Sequence, residues 1–248
     1  MTSKQLVLIL GVLCFGMAAT NAWSLTGREI MEKNDALPEE KTADSQVLML
    51  IHQGPKVIEK EFTLKSKQFE KDEDKTLIEF TKPTKIKLLT HAHKDRDDDQ
   101  WLRLSSGKIK RIASSDKGKS FVNSHFYYED LTRRDIDDFD YNYLGDETVS
   151  GTDCYKVEAV KKRNRVYNKT VLYVRKSDFF VIRVDFHKKG EFHKYLEYHD
   201  INPVSGILTS HRMVMNLANG KANTELKVKS VAYNMELNNS VFNKEALR

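Results

Sequence analysis

Gln100-Trp101-Leu102-Arg103-Leu104, Lys108-Ile109-Lys110-Arg111-Ile112 and Ser120-Phe121-Val122-Asn123-Ser124-His125-Phe126-Tyr127-Tyr128-Glu129-Asp130-Leu131 follow one another closely in this chain. The first two segments read as short strands joined across Ser105-Ser106-Gly107, a hairpin with glycine at its turn. The polar run Ser114 to Lys119 then breaks the alternation. Beyond it Phe121, Phe126, Tyr127 and Tyr128 lead directly into Glu129-Asp130, so aromatic rings and carboxylates share one short segment. Rings at that density must pack somewhere.

Period-two alternation extends outward from this stretch in both directions. It marks strands at 46–51, 57–66, 75–80, 85–91, 100–104, 108–112, 154–160, 170–174, 179–186, 192–198, 208–217 and 224–233. The links are short and turn-like, among them Gln53-Gly54-Pro55, Lys188-Lys189-Gly190 and Asn219-Gly220. Short links impose antiparallel neighbours, because parallel pairs need crossovers of a dozen or more residues. The fold class is therefore mainly β, one large antiparallel sheet that must curl or close. A short amphipathic helix fits between Leu25 and Leu37, with Thr26 as its N-cap and Pro38 beyond its end.

The strands present one apolar face and one polar face. Phe180, Ile182, Val184 and Phe186 alternate with Arg183, Asp185 and His187; Leu226 and Val228 alternate with Glu225, Lys227 and Lys229; Phe62 and Leu64 alternate with Glu61 and Lys65. Met213 and Met215 form another same-face pair, whose flexible thioethers suit a variable apolar ligand. These ten residues (Phe62, Leu64, Phe180, Ile182, Val184, Phe186, Met213, Met215, Leu226 and Val228) are expected to converge on one concave surface. A face that wide needs a second sheet, helices or a ligand to cover it. Helical patterns are confined to residues 30–33, 127–136 and 240–247, too little to cover it all.

The Trp101 to Ile112 and Ser120 to Leu131 segments resemble the outer-membrane lipoprotein-sorting protein family, the LolA-like proteins often associated with RND or MMPL-type transporters. Trp101-Leu102-Arg103-Leu104 with its basic continuation is similar to that family's Trp-Leu-Tyr-x-Pro hairpin. Ser120-Phe121 through Tyr128-Glu129-Asp130-Leu131 is similar to its Ser-Phe-x-Gly-Ser-Asp-x-x-Tyr-Glu-Asp-Leu motif. Ser105 stands in place of the family's proline, Asn123 of its glycine and His125 of its aspartate. The resemblance implies a half-open barrel of LolA/LppX type with short helices as a lid, holding a lipid or a lipidated protein. In that picture Trp101, Phe121, Phe126 and Tyr128 anchor the lid to the sheet, and Glu129 and Asp130 belong to the same motif.

Residues 1–22 carry Lys4, the apolar run Leu6 to Phe15 and a small-residue ending at Ala22, the layout of a secretory signal peptide. That apolar run falls short of the roughly 20 residues a membrane span needs. The expectation is a mature domain over 23–248, located in the periplasm and beginning near Trp23, without a lipid on Cys14. Removing residues 1–22 takes away Lys4 and no acid, leaving 40 Lys and Arg against 36 Asp and Glu. So mild and dispersed an excess argues against nucleic acid as a partner. Cys154 remains as a single thiol, so the domain must be held together by its core.

Catalytic signals are weak. His91-Ala92-His93 presents two imidazoles on one strand with no third ligand set by spacing, so no metal site is expected. Asp95, Asp97 and Asp99 start like a calcium loop, but its turn glycine is missing and Ser106 occupies the place of its terminal glutamate. The acidic run Asp135 to Asp140 has no His, Ser or Cys placed beside it, and Cys154 has no motif. Lys161-Lys162-Arg163-Asn164-Arg165 reads as a hairpin tip. No cofactor and no enzymatic activity are expected. The readings that stand are a carrier of lipid or lipoprotein, working with an inner-membrane RND-type transporter, and a lipid-binding or protein-binding regulatory sensor of the same fold.

Overall fold

A computed structural model describes residues 25–69, 73–94, 96–132, 134–163 and 166–248. The expected signal segment and Cys14 lie outside these residues, as do Asp95, Asn164 and Arg165. Helix α1 (Gly27–Asp35) precedes strands β1 (Thr42–Gln53), β2 (Lys56–Phe69), β3 (Glu73–Lys82), β4 (Lys87–His91), β5 (Asp99–Arg103) and β6 (Ile109–Arg111). After an irregular segment come β7 (Phe139–Val149), β8 (Thr152–Lys161), β9 (Lys169–Arg175), β10 (Val181–Lys188), β11 (Glu191–Val204), β12 (Ile207–Leu217) and β13 (Ala222–Tyr233). All thirteen join one curved, open antiparallel sheet in the order β6-β5-β4-β3-β2-β1-β13-β12-β11-β10-β9-β8-β7. Among the described residues, no helix is long and apolar enough to cross a membrane.

That order dictates the rest of the architecture. Strands β6 and β7 follow one another in sequence yet form opposite edges of the sheet, while β1 and β13 pair in its middle, Met49 opposite Leu226. Residues 112–138 must therefore travel from one edge to the other, and they do so as a strap over the concave face. A single β-bridge, Ser120 to Tyr127, and 3-10 turns at Tyr128–Leu131 and Ile136–Asp138 give the strap its shape. The helix-like signal expected over 127–136 is thus realised as tight turns, with Tyr127 donating its backbone N–H to the Asp130 carboxylate.

The strap fills both halves of the concave face. Phe121 and Tyr128 enter a cluster with Val47, Met49, Phe62, Ile78, Phe80, Leu88 and Leu102. Phe121 meets the rings of Phe80 at 5.7 Å and Tyr128 at 5.6 Å. Phe126 enters the other cluster, with Ile30, Val157, Leu172, Val184, Phe186, Leu196 and Met215. Leu226, on central strand β13, touches both.

Helix α1 covers the far edge. Its capping box is complete, with Thr26 Oγ1 accepting from the Glu29 backbone N–H and Glu29 accepting from the Thr26 N–H. A Cβ on Gly27 would stand 2.8 Å from the β7 backbone at Asn142 and Tyr143, so only glycine lets the helix start close against that strand. An exposed edge strand is a template for aggregation, and this contact shields part of it.

Two expectations are corrected. Strand β7 has no counterpart in the sequence reading, because its outward residues Asp140 and Asn142 and its short Gly145 bulge mask the alternation of Phe139, Tyr141 and Tyr143. The outer face is not uniformly polar: Leu77, Leu89 and Trp101 form an apolar patch sealed by Val241 and Leu247 of the C-terminal 3-10 turns. Trp101 therefore anchors the C-terminus and not the strap. Its ring meets His91 at 5.0 Å and the Lys244 ammonium at 4.1 Å, on the face opposite Phe121 and Tyr128. Truncating Phe121, which is fully buried between strap and sheet, is expected to cost about 3–5 kcal/mol in urea unfolding, the usual range for a large buried aromatic.

Candidate functional site

Between the strap, α1 and strands β8 to β11 lies a cavity of about 410 Å³. Its apolar wall comes from Leu172, Val181, Val184, Phe186 and Leu196, with Met31 from α1 and Phe139 from the start of β7. Its polar groups come mainly from the strap and the strand ends: Glu129, Asp130, Thr132, Arg134, Lys161, Lys169 and Thr170. This volume lies within the roughly 300–1,000 Å³ of ordinary ligand sites, and apolar walls with few polar groups are their usual composition.

One ion pair fixes the strap above this wall. Lys194 Nζ lies 2.6 Å from Asp130 Oδ2, with side-chain exposures of 0% and 2%. The same ammonium donates to the His125 carbonyl at 2.8 Å and sits 3.7 Å from the Tyr127 ring centroid. The other oxygen of Asp130 accepts from the Tyr167 hydroxyl at 2.6 Å. Burial pulls the Lys194 ammonium below its ordinary value, and Asp130 opposes that shift. Burial, with Asp130 beside it, pushes the Tyr167 phenol well above its ordinary value and keeps it a donor. Taking either charge alone out of water would be prohibitive, so the pair and its hydrogen bonds stand or fall together.

Further ties reinforce it. Lys60 Nζ donates to the Val122 carbonyl at 2.7 Å, and Gln100 Nε2 to the Tyr128 carbonyl at 3.2 Å. Thr224 Oγ1 lies 2.8 Å from His125 Nδ1, and the Tyr127 hydroxyl 2.8 Å from His193 Nε2. Glu129 pairs with Lys161 at 2.8 Å while its second oxygen is buried without a partner among the described residues.

The expected cavity residues divide between sites. Val184, Phe186 and Phe180 line the cavity. Met213 and Met215 pack in the same cluster beside it. Phe62 and Leu64 lie in the other half of the concave face, beneath Phe121 and Tyr128, and Val228 pairs there with Val47. Ile182 is a correction: the register of β10 against β9 slips between Val181 and Arg183, leaving Ile182 as an extra residue. That bulge turns it to the outer face, against Cys154, Val171 and Tyr173. Val181 takes the cavity position instead.

Lys194 and Arg134 escaped the sequence reading. The clue to Lys194 was its register, since it alternates in phase with Leu196 and Tyr198 on the apolar face of a strand. Nothing local marked Arg134. The residues weighed for chemistry are occupied structurally: His91 bonds to the Phe242 carbonyl, His93 lies between Glu73 and Asp99, and burial raises the Cys154 thiol above its ordinary value.

Comparisons with known proteins agree with this geometry. A family model described only as an uncharacterized protein matches residues 72–248. Among curated proteins none matches. A crystal structure described as an outer membrane lipoprotein-sorting protein domain from Vibrio parahaemolyticus is similar at 29% identity and TM-score 0.85, covering 89% of this chain and 97% of that one. A DUF1329 family protein from Desulfovibrio piger is similar at 29% identity and TM-score 0.85, covering 90% and 98%. A LolA superfamily protein from Nitrosomonas europaea shares the fold at 19% identity and TM-score 0.70, covering 90% and 100%.

Two outcomes follow for the strap. Lys194→Met, which leaves Asp130 buried and unpaired, is expected to destabilise the protein by about 3–5 kcal/mol in urea unfolding, and the double variant Lys194→Met/Asp130→Leu to recover much of that loss. His125 and His193 are both held below their ordinary values, by burial and then by Lys194. Below about pH 6.5 the unfolded chain takes up protons that these folded histidines refuse, so stability is expected to fall as the pH is lowered from 7.5 to 5.5. Urea midpoints across that window, flatter in His193→Gln, check it.

Proposed function

The chain belongs to the LolA-like outer-membrane lipoprotein-sorting family, and we propose that it is a periplasmic carrier that shields acyl chains in the cavity beneath its strap. The observation that carries this reading is the cavity itself: an apolar wall on a curved sheet, roofed by a segment that contributes both rings and charges. Each methylene moved from water onto such a wall gains about 0.8 kcal/mol, so a chain is held without any covalent step. Nothing in the mechanism asks for a catalyst. The similar proteins are described as lipoprotein-sorting and LolA superfamily members, which favours binding over turnover. The residues expected as signal peptide would deliver a single mature domain, residues 23–248, to the periplasm.

Handing a lipid between membranes needs a donor, and an inner-membrane RND-type transporter is the partner proposed. Photo-crosslinking from exposed positions beside the strap, such as Lys162, is expected to capture that transporter in cells. The cavity is tested by Val184→Asp, which places a carboxylate in its wall; desolvating that group costs several kcal/mol, or it keeps water in the cavity. Binding of a fluorescent fatty-acyl probe is expected to be lost in Val184→Asp, while the exposed turn substitution Ser177→Asp leaves it intact. Circular dichroism confirms folding in both. Probe binding that survives Val184→Asp in folded protein defeats the carrier reading.

A further inference from the structure

Among the described residues, the lining of the cavity contains one cation without a counter-charge. Lys161 pairs with Glu129 and Lys169 with Glu158, while Asp130 is taken by Lys194. Arg134 has no carboxylate partner among the described residues. Its guanidinium lies 4.1 Å over the Phe139 ring, and one terminal nitrogen donates to Thr170 Oγ1 at 3.2 Å. Its Nε is buried and has no hydrogen-bond partner among the described residues. A hydrogen bond joins the guanidinium to the Tyr141 phenol, the Tyr198 phenol lies near it, and burial pushes Tyr198 up to about 12. Both are neutral near pH 7 and cannot offset the charge.

A guanidinium offers five donors in a planar fork, which matches two oxygens of a carboxylate or phosphate. An unpaired cation held in a largely apolar cavity is costly unless an anion joins it. Stacking on Phe139 and hydrogen bonds to Thr170 and Tyr141 use only part of the fork, and Arg134 lines the same cavity as Leu172 and Val184. We infer that the cavity takes a single-chain lipid with an anionic oxygen head, a fatty carboxylate or a monoacyl phosphate, whose head is bound by Arg134 and whose chain lies along Leu172, Val184, Phe186 and Leu196. This rests on the carrier reading and narrows it. A volume of about 410 Å³ suits one chain better than a multiply acylated lipid. Arg134 belongs to the strap, so head and roof are engaged by the same segment.

Displacement of the neutral probe N-phenyl-1-naphthylamine from the mature chain tests it, with palmitate, palmitoyl lysophosphatidate and hexadecanol as competitors. In the unaltered protein the two anionic lipids are expected to displace the probe at concentrations at least tenfold lower than hexadecanol; which of them is tighter identifies the head. Arg134→Gln is expected to abolish that advantage without altering displacement by hexadecanol, and Arg134→Lys to retain part of it. Equal displacement by palmitate and hexadecanol in the unaltered protein overturns the inference, whatever the variants do. An anionic advantage that persists in folded Arg134→Gln overturns it too, as does an equal loss of all three ligands. A probe that does not bind the unaltered protein at all, with none of the three lipids bound when measured directly, overturns the carrier reading instead.

Discussion

The buried contact between Lys194 and Asp130 sets the terms for the rest of this molecule. A lysine projecting from the apolar face of β11 can be tolerated only if a carboxylate reaches it, and that carboxylate arrives on the strap. The pair also organises its surroundings: Tyr167 donates to the other oxygen of Asp130, Tyr127 places its ring against the ammonium, and the His125 carbonyl accepts a hydrogen bond from it. A strap located by hydrophobic contact alone would be free to slide, since burial is non-directional. A hydrogen-bonded ion pair has one position. Here it holds the roof at a defined height over Leu172, Val184 and Phe186 and so leaves a cavity where closer packing would leave core.

The need for a strap comes from topology. With β1 and β13 at the centre of the sheet, the two halves of the chain form its two wings, and the connection between their outer strands has to cross the whole concave face. That crossing is asymmetric. Over the first wing Phe121 and Tyr128 interlock with Phe62, Ile78 and Phe80, and the space is filled by side chains. Over the second wing the strap contributes the charged residues Glu129, Asp130 and Arg134 to the lining, and the space stays open. One segment is therefore a core element at one end and a binding element at the other.

The sheet's outer face follows the same economy of coverage. Its apolar patch at Leu77, Leu89 and Trp101 is closed by the C-terminal turns, with Lys87 donating to the Ala246 carbonyl and His91 bonded to Phe242. A second patch, Cys154, Val171 and Tyr173, is completed by the bulged Ile182 and bordered by the Arg183–Asp185 pair. Much of what alternation alone would assign to solvent is thus structural.

Much was legible in the sequence for a physical reason: strand alternation, turn glycines and the Thr26 N-cap are local, and each is dictated by the few residues that form it. These determined a mainly β fold, a single curved sheet, helix α1, and an aromatic segment packed against the strands, with Phe121, Phe126 and Tyr128 buried as that reading requires. Tertiary structure decided everything that depends on distant pairings. A one-residue bulge in β10 moved Ile182 to the opposite face, because side-chain direction has a period of two and any slip inverts it. Trp101 belonged to the outer face because its strand neighbour Leu102 already filled the inner one. The partner of Asp130 lay 64 residues away, on a strand where only its phase betrayed it, and the carboxylate it holds lines the cavity.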